Sequence, residues 1–105
     1  MSNTASPYVW EYRPDYHSFI CPGCKEPHAI NLGLGGWKVE SWKPLTLSPS
    51  VLVTGGGDPN YRCHSFIRND QIQFLPDCSH TLAGQTVPLL DFDAWVIEQR
   101  ARRLA

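Results

Sequence analysis

Four cysteines and the histidines near them are the residues of this chain most suited to chemistry. Cys21 and Cys24 flank the dipeptide Pro22-Gly23. Proline pre-sets φ and glycine accepts a positive φ, so a turn of this composition can direct both sulfurs toward one point. Two cysteines at this spacing are half of a tetrahedral thiolate site, and Zn²⁺ is the usual occupant of such a site. The sequence therefore predicts first a small domain stabilised by a metal.

A second pair of cysteines lies in and beyond a predicted β-hairpin over residues 61–75. Asn69-Asp70 forms its turn, because both residue types tolerate left-handed backbone geometry. A symmetric turn pairs Ile67 with Ile72 and Ser65 with Phe74. The turn chemistry therefore fixes a register for the whole hairpin.

Extending this register assigns the flanking residues to faces. Cys63 and Cys78 fall on one face of the hairpin, and His64 falls on the other. The predicted site is a structural Zn²⁺ site with four thiolates, and iron in the same sulfur cage is the alternative. Its predicted ligands are Cys21, Cys24, Cys63 and Cys78.

Three histidines compete for places around the metal. His28, His64 and His80 each lie within four residues of a cysteine, so each can replace a thiolate. Two histidine ligands beside fewer cysteines would leave a position open for water and hydrolysis, and Asp77 would then orient a histidine or act as a base. The alternative is that the histidines hydrogen-bond loop carbonyls around a closed site. We favour the closed site, because four thiolates leave Zn²⁺ no open position.

Two polar segments carry hydroxyl side chains that a ligand could use, at residues 46–50 and 83–87. Neither has the Gly-Lys-Ser chemistry of a phosphate-binding loop, and neither has the Gly-x-Ser-x-Gly pattern of a hydrolase nucleophile. The sequence therefore predicts that both segments are turns or strand edges. The sequence indicates no interaction partner for His17, and we expect this residue at the surface.

Size and composition indicate one loop-rich domain. The chain has 105 residues, including 8 glycines and 9 prolines, and its formal charge is −1. This charge gives no general attraction to nucleic acid or anionic lipid. No apolar run approaches the roughly 20 residues that span a bilayer, and the N-terminus lacks the features of a secretory signal. We expect the protein in the cytoplasm, where reduced cysteines bind metals more often than they pair.

The local patterns predict an α+β fold, with a small antiparallel β-sheet, a zinc knuckle and one C-terminal α-helix. Residues 1–16 are interpreted as a flexible N-terminal arm, and residues 17–105 as a single zinc-stapled domain. The helix covers residues 91–105, with Asp91 as its N-cap and an apolar stripe facing the sheet. The predicted strands outside the hairpin cover residues 17–20, 29–32, 37–42 and 51–53.

Several blocks together resemble a family of small, uncharacterised phage and prophage zinc-knuckle proteins that genome records often label ammonia monooxygenase. The resemblance implies a phage-related origin and a zinc site, and it supplies no reaction. The enzymatic label does not fit, because ammonia oxidation uses copper in a membrane-embedded complex. The blocks are Phe19–Cys24, His28, Trp37, Leu45–Ser50, Cys63–Ile67 and Asp77–Val87.

These observations lead to three functional hypotheses. The first is a non-enzymatic zinc-binding interaction module of a phage or prophage, used in host takeover, anti-defence or regulation in the cytoplasm of a bacterial host. Its partner would be a host or phage protein, bound through aromatic side chains that the core does not require. The second is a zinc-dependent hydrolase or nuclease-like enzyme that uses His28, His64, Asp77 and His80. The third is a zinc ribbon that binds nucleic acid.

Overall fold

The computed structural model describes residues 6–104 and contains three antiparallel β-sheets and one helix in that range. The first sheet has the order β1-β2-β3, the second pairs β4 with β5, and the third has the order β6-β7-β8-β9. The elements are β1 Val9–Arg13, β2 Tyr16–Cys21, β3 Glu26–Asn31, β4 Lys38–Trp42, β5 Leu45–Ser48, β6 Val51–Thr54, β7 Arg62–Arg68, β8 Gln71–Phe74, β9 Thr86–Pro88 and α1 Phe92–Leu104.

The β7–β8 hairpin has the register that the sequence predicts. Ser65 pairs with Phe74, and Ile67 pairs with Ile72. The turn residues Asn69 and Asp70 have φ values of 54° and 63°, which is the left-handed region that their side chains tolerate. The hairpin prediction is confirmed because strand alternation and turn chemistry specify the same register.

The core lies on the inner face of the third sheet and against the first sheet. Along β7, the inward residues Cys63, Ser65 and Ile67 are buried, while the residues between them are partly or fully exposed. Ile72 and Phe74 continue the buried face on β8. Full burial of such a side chain contributes about 1.5–3 kcal/mol, so this alternation strongly favours one orientation of the sheet.

The C-terminal helix begins where its capping residue predicts. The Ala94 N–H donates to Asp91 Oδ1 at 2.9 Å, which is an N-cap contact. Phe92 is buried and stacks on Trp10 of β1, with 5.8 Å between the ring centroids. The predicted α+β fold class is confirmed. None of the helical structure within residues 6–104 has the length and apolar character needed to span a bilayer.

The N-terminal part contains a strand and a buried histidine that were not predicted. The predicted arm includes β1, which pairs with β2, while residues 1–5 lie outside the described range. The division of the chain at residue 17 remains a prediction. The surface position expected for His17 is wrong, because its side chain is 5% exposed. His17 lies in the central strand of the first sheet and packs its ring 5.5 Å from that of Trp42.

The segment from residue 46 to 50 is also more regular than predicted. Leu45–Ser48 forms β5 and pairs with β4, and only Pro49 and Ser50 separate it from β6. The alternating pattern in this strand, with Leu45 and Leu47 buried, explains why it pairs. Ser50 is thereby held between two strands.

Candidate active site and metal centre

Three cysteines and one histidine meet between the first and third sheets. One ligand atom from each of these four side chains lies within 4.8 Å of every other, which is close enough to bind a metal ion. Cys21 ends β2, Cys24 follows in the turn, and Cys63 belongs to β7. His28 lies on β3. We call this set the metal cluster: Cys21, Cys24, His28 and Cys63.

The turn that carries the first two cysteines is built differently from the prediction. Its positive φ is at Lys25, with a value of 60°, rather than at Gly23. The Lys25 N–H donates to the Cys21 carbonyl at 2.7 Å and closes the turn. Gly23 is needed for another reason. A Cβ at this position would overlap the ring of His80.

The surroundings of His28 and His80 distinguish the two histidines as candidate ligands. His28 is 4% exposed, and its Nε2 has no hydrogen-bond partner among the described residues, so this buried nitrogen is left for a metal. His80 Nε2 lies 3.6 Å from Cys63 Sγ, but its Nδ1 accepts the Leu82 N–H at 3.2 Å. A neutral His80 therefore carries its proton on Nε2 and cannot offer that atom to a metal. The set of three thiolates and His28 fits a tetrahedral Zn²⁺ site.

The electrostatics of the metal cluster favour a bound cation. Cys21 Sγ and Cys63 Sγ are 3.7 Å apart. The hydrogen bond from Cys63 lowers the pKa of Cys21 to about 4. The same interaction, together with burial, raises the pKa of Cys63. The lowered pKa of Cys21 favours its thiolate, which is the form of cysteine that binds metals.

Cys78 occupies a different position from the other three cysteines. Its thiol accepts the N–H of His64 at 3.2 Å and donates to the carbonyl of the same residue at 3.2 Å. Its Sγ also lies within 4.8 Å of ligand atoms of Cys63 and His80, which form a second, smaller group. The four-thiolate set remains a prediction, and the geometry brings His28 to the first three thiols in place of Cys78.

On the outer face of the third sheet, a serine, a histidine and an aspartate form a chain of hydrogen bonds. Ser50 Oγ lies 3.0 Å from His64 Nε2. His64 Nδ1 lies 3.3 Å from Asp77 Oδ2. With the His64 proton on Nδ1, the lone pair on Nε2 faces the serine hydroxyl, which is the arrangement of an activated nucleophile, a base and an orienting carboxylate. We call these three residues the triad.

Strand register brings the triad together. β6 pairs with β7, with Leu52 opposite His64, so Ser50 just before β6 reaches the ring of His64. Asp77 follows β8 in a segment that runs along the other side of β7, where the Ser79 N–H donates to the Arg62 carbonyl at 2.8 Å. The triad is therefore formed by three neighbouring strands or strand extensions.

Arg62 controls the orienting carboxylate. Its Nε donates to Asp77 Oδ2 at 2.7 Å, on the same oxygen that faces His64. This guanidinium contact, with a smaller contribution from His64, lowers the pKa of Asp77. The side chain of Asp77 is 42% exposed, and its contact with Arg62 holds it in position. A buried aspartate would be held in position by the groups packed around it.

The candidate residues from the sequence divide between the two sites. His64 and Asp77 belong to the triad, whereas His28 belongs to the metal cluster and His80 packs beside it. Ser50 was not predicted as a nucleophile, because it lies in no Gly-x-Ser-x-Gly motif. The available signal was its place in the Leu45–Ser50 block of hydroxyl residues.

Comparison with known proteins identifies a family. A family model described as bacterial ubiquitination-like system serine protease (BubE) matches residues 2–75. Ser50 and His64 lie inside the matched range, and Asp77 follows two residues after its end. Searches of curated proteins and of solved structures gave no match.

The family match overturns the leading functional hypothesis. A non-enzymatic interaction module was predicted because no catalytic group was recognised in the sequence, whereas the matched family is described as a serine protease. The hydrolase alternative required a metal ion with an open coordination position. The triad instead shares no residue with the metal cluster. The chain belongs to the BubE family, which is described as the serine protease family of a bacterial ubiquitination-like system.

Proposed function

We propose that this protein is a serine protease in which Ser50 is the nucleophile, His64 the general base and Asp77 the residue that orients the base. The observation that carries the proposal is the continuous contact from Ser50 Oγ to His64 Nε2 and from His64 Nδ1 to Asp77 Oδ2, at 3.0 Å and 3.3 Å. The description of the family supports the same assignment. We further propose that the substrate is a protein of the ubiquitination-like system.

The geometry supports acyl transfer in two steps. Ser50 Oγ attacks the substrate carbonyl carbon while His64 Nε2 accepts the hydroxyl proton. The imidazolium then gives this proton to the leaving amine, and the peptide bond breaks to form an acyl-serine ester. A water molecule, deprotonated by His64, hydrolyses the ester and restores Ser50. Asp77 stabilises the imidazolium in each step.

A backbone donor for the developing oxyanion is present beside the nucleophile. The carbonyl of Ser50 accepts the Trp37 indole N–H at 3.1 Å, whereas the Ser50 N–H has no hydrogen-bond partner among the described residues. Preorganised backbone N–H groups are the usual stabilisers of tetrahedral intermediates in acyl transfer. We assign this role to the N–H of Ser50.

We propose that Zn²⁺ is the metal held by Cys21, Cys24, His28 and Cys63. Three thiolates and one imidazole fill the four positions that Zn²⁺ prefers in structural sites. Bound there, the metal would supply cross-linking of the two sheets and no Lewis-acid chemistry, since all four positions are taken by protein. A phage or prophage origin and a location in the bacterial cytoplasm are parts of the proposal that come from the sequence alone.

The test uses a fluorophosphonate probe, which labels an activated serine without requiring the natural substrate. We expect one phosphonyl group per chain, on the peptide that contains Ser50, as read by mass spectrometry. Ser50→Ala abolishes the label. His64→Gln lowers the labelling rate by at least 100-fold, because general-base catalysis contributes about 10²–10⁴-fold.

Ser48→Ala is the matched control. Ser48 is two residues away, but its hydroxyl contacts Glu40 Oε2 at 2.7 Å and no histidine. Its labelling rate should equal that of the wild-type protein. Labelling that persists in Ser50→Ala, or that never occurs in the wild-type protein with bound metal, would reject Ser50 as the nucleophile.

A further inference from the structure

The strand that begins directly after the nucleophile lies at the edge of its sheet. β6 starts at Val51 and has β7 on one side, and no strand among residues 6–104 pairs with its other side. Leu52 on this strand is 45% exposed. An open edge strand presents backbone groups that can pair with another chain.

The hydrogen bonds of β7 show which groups of β6 point outward. The N–H and carbonyl of His64 are directed away from β6, because they contact Cys78 Sγ and the Leu75 N–H. The same holds for Arg62, whose N–H and carbonyl contact Ser79. Pairs in an antiparallel ladder alternate between hydrogen-bonded and non-hydrogen-bonded, so the partners of these two residues direct their backbone groups off the edge.

Those partners are Leu52, opposite His64, and Thr54, opposite Arg62. Their backbone N–H and C=O groups therefore point away from β7, toward the side of β6 on which no strand of residues 6–104 lies. Each of the two residues offers one N–H and one C=O to the open side. Together they can form the four hydrogen bonds of a short antiparallel ladder. Ser50 precedes Leu52 by the same spacing, so the row of outward residues leads to the nucleophile.

We propose that the substrate is bound as an extended, unfolded polypeptide segment that adds a strand to the outer edge of β6, through Leu52 and Thr54, with its scissile bond at Ser50. This inference rests on the proposed protease function and defines the form of its substrate. A strand antiparallel to β6 passes Thr54 first and Leu52 next. The paired residues are therefore on the amino side of the scissile bond.

The surroundings of β6 leave room for such a segment. Beyond Thr54 the edge opens into a cleft of about 320 Å³, whose lining includes Val53, Gly55 and Tyr61. Leu52 and His64 are paired across the ladder, so their side chains share the outer face of the sheet. Backbone pairing supplies affinity for any extended segment and excludes folded elements, as in other peptide-binding proteins that use an exposed edge.

The first experiment changes only the outward N–H. Leu52→Pro removes this donor, and Leu52→Ala is the control that keeps it while shortening the side chain. Proline is tolerated in edge strands where the N–H faces away from the sheet. With a tryptic peptide library from a bacterial lysate as substrate, we expect cleavage by Leu52→Pro to fall about tenfold and cleavage by Leu52→Ala to change less than twofold. Fluorophosphonate labelling of Ser50 is measured in both variants, and each cleavage rate is divided by the labelling rate of the same variant.

The second experiment leaves the protein unchanged, so it holds even where Leu52→Pro does not fold. A peptide diphenyl phosphonate is made on the most rapidly cleaved library sequence, and single N-methyl groups are placed at successive residues before the phosphonate. Methylation at the two residues that face β6 should slow inactivation about tenfold each, and methylation at the residues between them should change it less than twofold.

Equal effects at all methylated positions, or equal cleavage by the two Leu52 variants, would overturn the edge-strand model while labelling of Ser50 kept the protease assignment intact. Absence of fluorophosphonate labelling in the wild-type protein would reject both the protease assignment and this substrate model.

Discussion

Cys63 and His64 are consecutive residues of β7 whose side chains lie on opposite faces of the third sheet. Cys63 is buried in the metal cluster, and the ring of His64 contacts Ser50 on the outer face. One strand therefore carries both a candidate metal ligand and the proposed catalytic base, because successive side chains of a β-strand alternate between faces. The position of the base is thus linked to the integrity of the metal cluster.

Substitution of single ligands should separate the metal cluster from its neighbours. We expect one Zn²⁺ per chain in the wild-type protein and in Cys78→Ala and His80→Ala, and a loss of metal in Cys63→Ala and His28→Ala. Metal content of protein purified without added zinc is the measurement, by inductively coupled plasma mass spectrometry. Retention of zinc in His28→Ala with loss in Cys78→Ala would instead support the four-thiolate set.

Removal of the metal should lower both stability and the reactivity of the serine. A metal held a thousandfold above its dissociation constant stabilises the fold by about 4 kcal/mol, so a strong chelator should lower the melting temperature by 10 °C or more. Fluorophosphonate labelling of Ser50 should slow in parallel. Without the metal, Cys63 no longer anchors β7, the strand that also carries His64. Readdition of Zn²⁺ should restore both. Unchanged labelling of a fully metal-free protein would show that the triad is independent of the cluster.

Gly23→Ala tests the close contact between the knuckle and His80. A methyl group at residue 23 would overlap the imidazole ring, and overpacking of this kind costs about 1–3 kcal/mol. The φ of Gly23 is outside the left-handed region, so alanine adds no backbone strain. Denaturant unfolding measures the loss. In a Gly23→Ala/His80→Ala double variant the missing ring makes room, and the penalty of the Gly23 change should largely disappear.

Arg62→Gln should raise the pKa of Asp77 toward its usual value of 3.8, because the guanidinium that lowers it is removed. A carboxyl with a depressed pKa contributes stability above its unfolded pKa and loses this contribution as the pH falls through the folded pKa. The acid-dependent loss of stability due to Asp77 should therefore be weaker in the variant. Carbon-13 NMR of the side-chain carboxyl between about pH 2 and 6 measures the pKa directly.

The control for this change is Arg68→Gln on the same strand. Arg68 lies over the Phe66 ring and contacts Gln73, so its loss should leave the pKa of Asp77 unchanged. At neutral pH Asp77 is ionised in every variant, and only Arg62→Gln should slow serine labelling, since the carboxylate loses its anchor. Equal pKa values of Asp77 in the two variants would contradict the assigned role of Arg62.

Trp37→Phe should slow the reaction of Ser50 about fivefold without loss of metal. The Trp37 indole donates to the Ser50 carbonyl at 3.1 Å, and a single hydrogen bond of this kind contributes about 1 kcal/mol. Trp42→Phe provides the comparison, because that ring packs against His17 of the first sheet. The labelling rate is the readout. Similar slowing in the two variants would indicate a general loss of packing.

Local patterns were sufficient where neighbouring residues determine structure. The Asn69-Asp70 turn fixes the β7–β8 register, and Asp91 marks the start of α1, as predicted. The spacing of Cys21 and Cys24 also predicts that both thiols lie in the same cluster, as they do. Each of these features depends on contacts within a few residues, which composition and alternation report directly.

The proposed nucleophile and the proposed fourth metal ligand depend on contacts between distant parts of the chain. Ser50 was interpreted as a turn residue, and its role follows only from the pairing of β6 with β7, which brings it to His64. His28 was one of several alternatives, and burial of its Nε2 beside three thiols distinguishes it.

Four features were predictable from local sequence patterns: the Cys21–Cys24 turn, the hairpin register, the helix, and the placement of Cys63 and His64 on opposite faces. These features result from backbone stereochemistry and from the two-residue period of strands. The packing of the sheets, in contrast, brings the Ser50 hydroxyl to His64, the His28 imidazole to the three thiols, and the Cys78 thiol to the backbone of His64. Such choices depend on how separate sheets pack and which polar atoms are buried without a partner, and no short stretch of sequence encodes that packing.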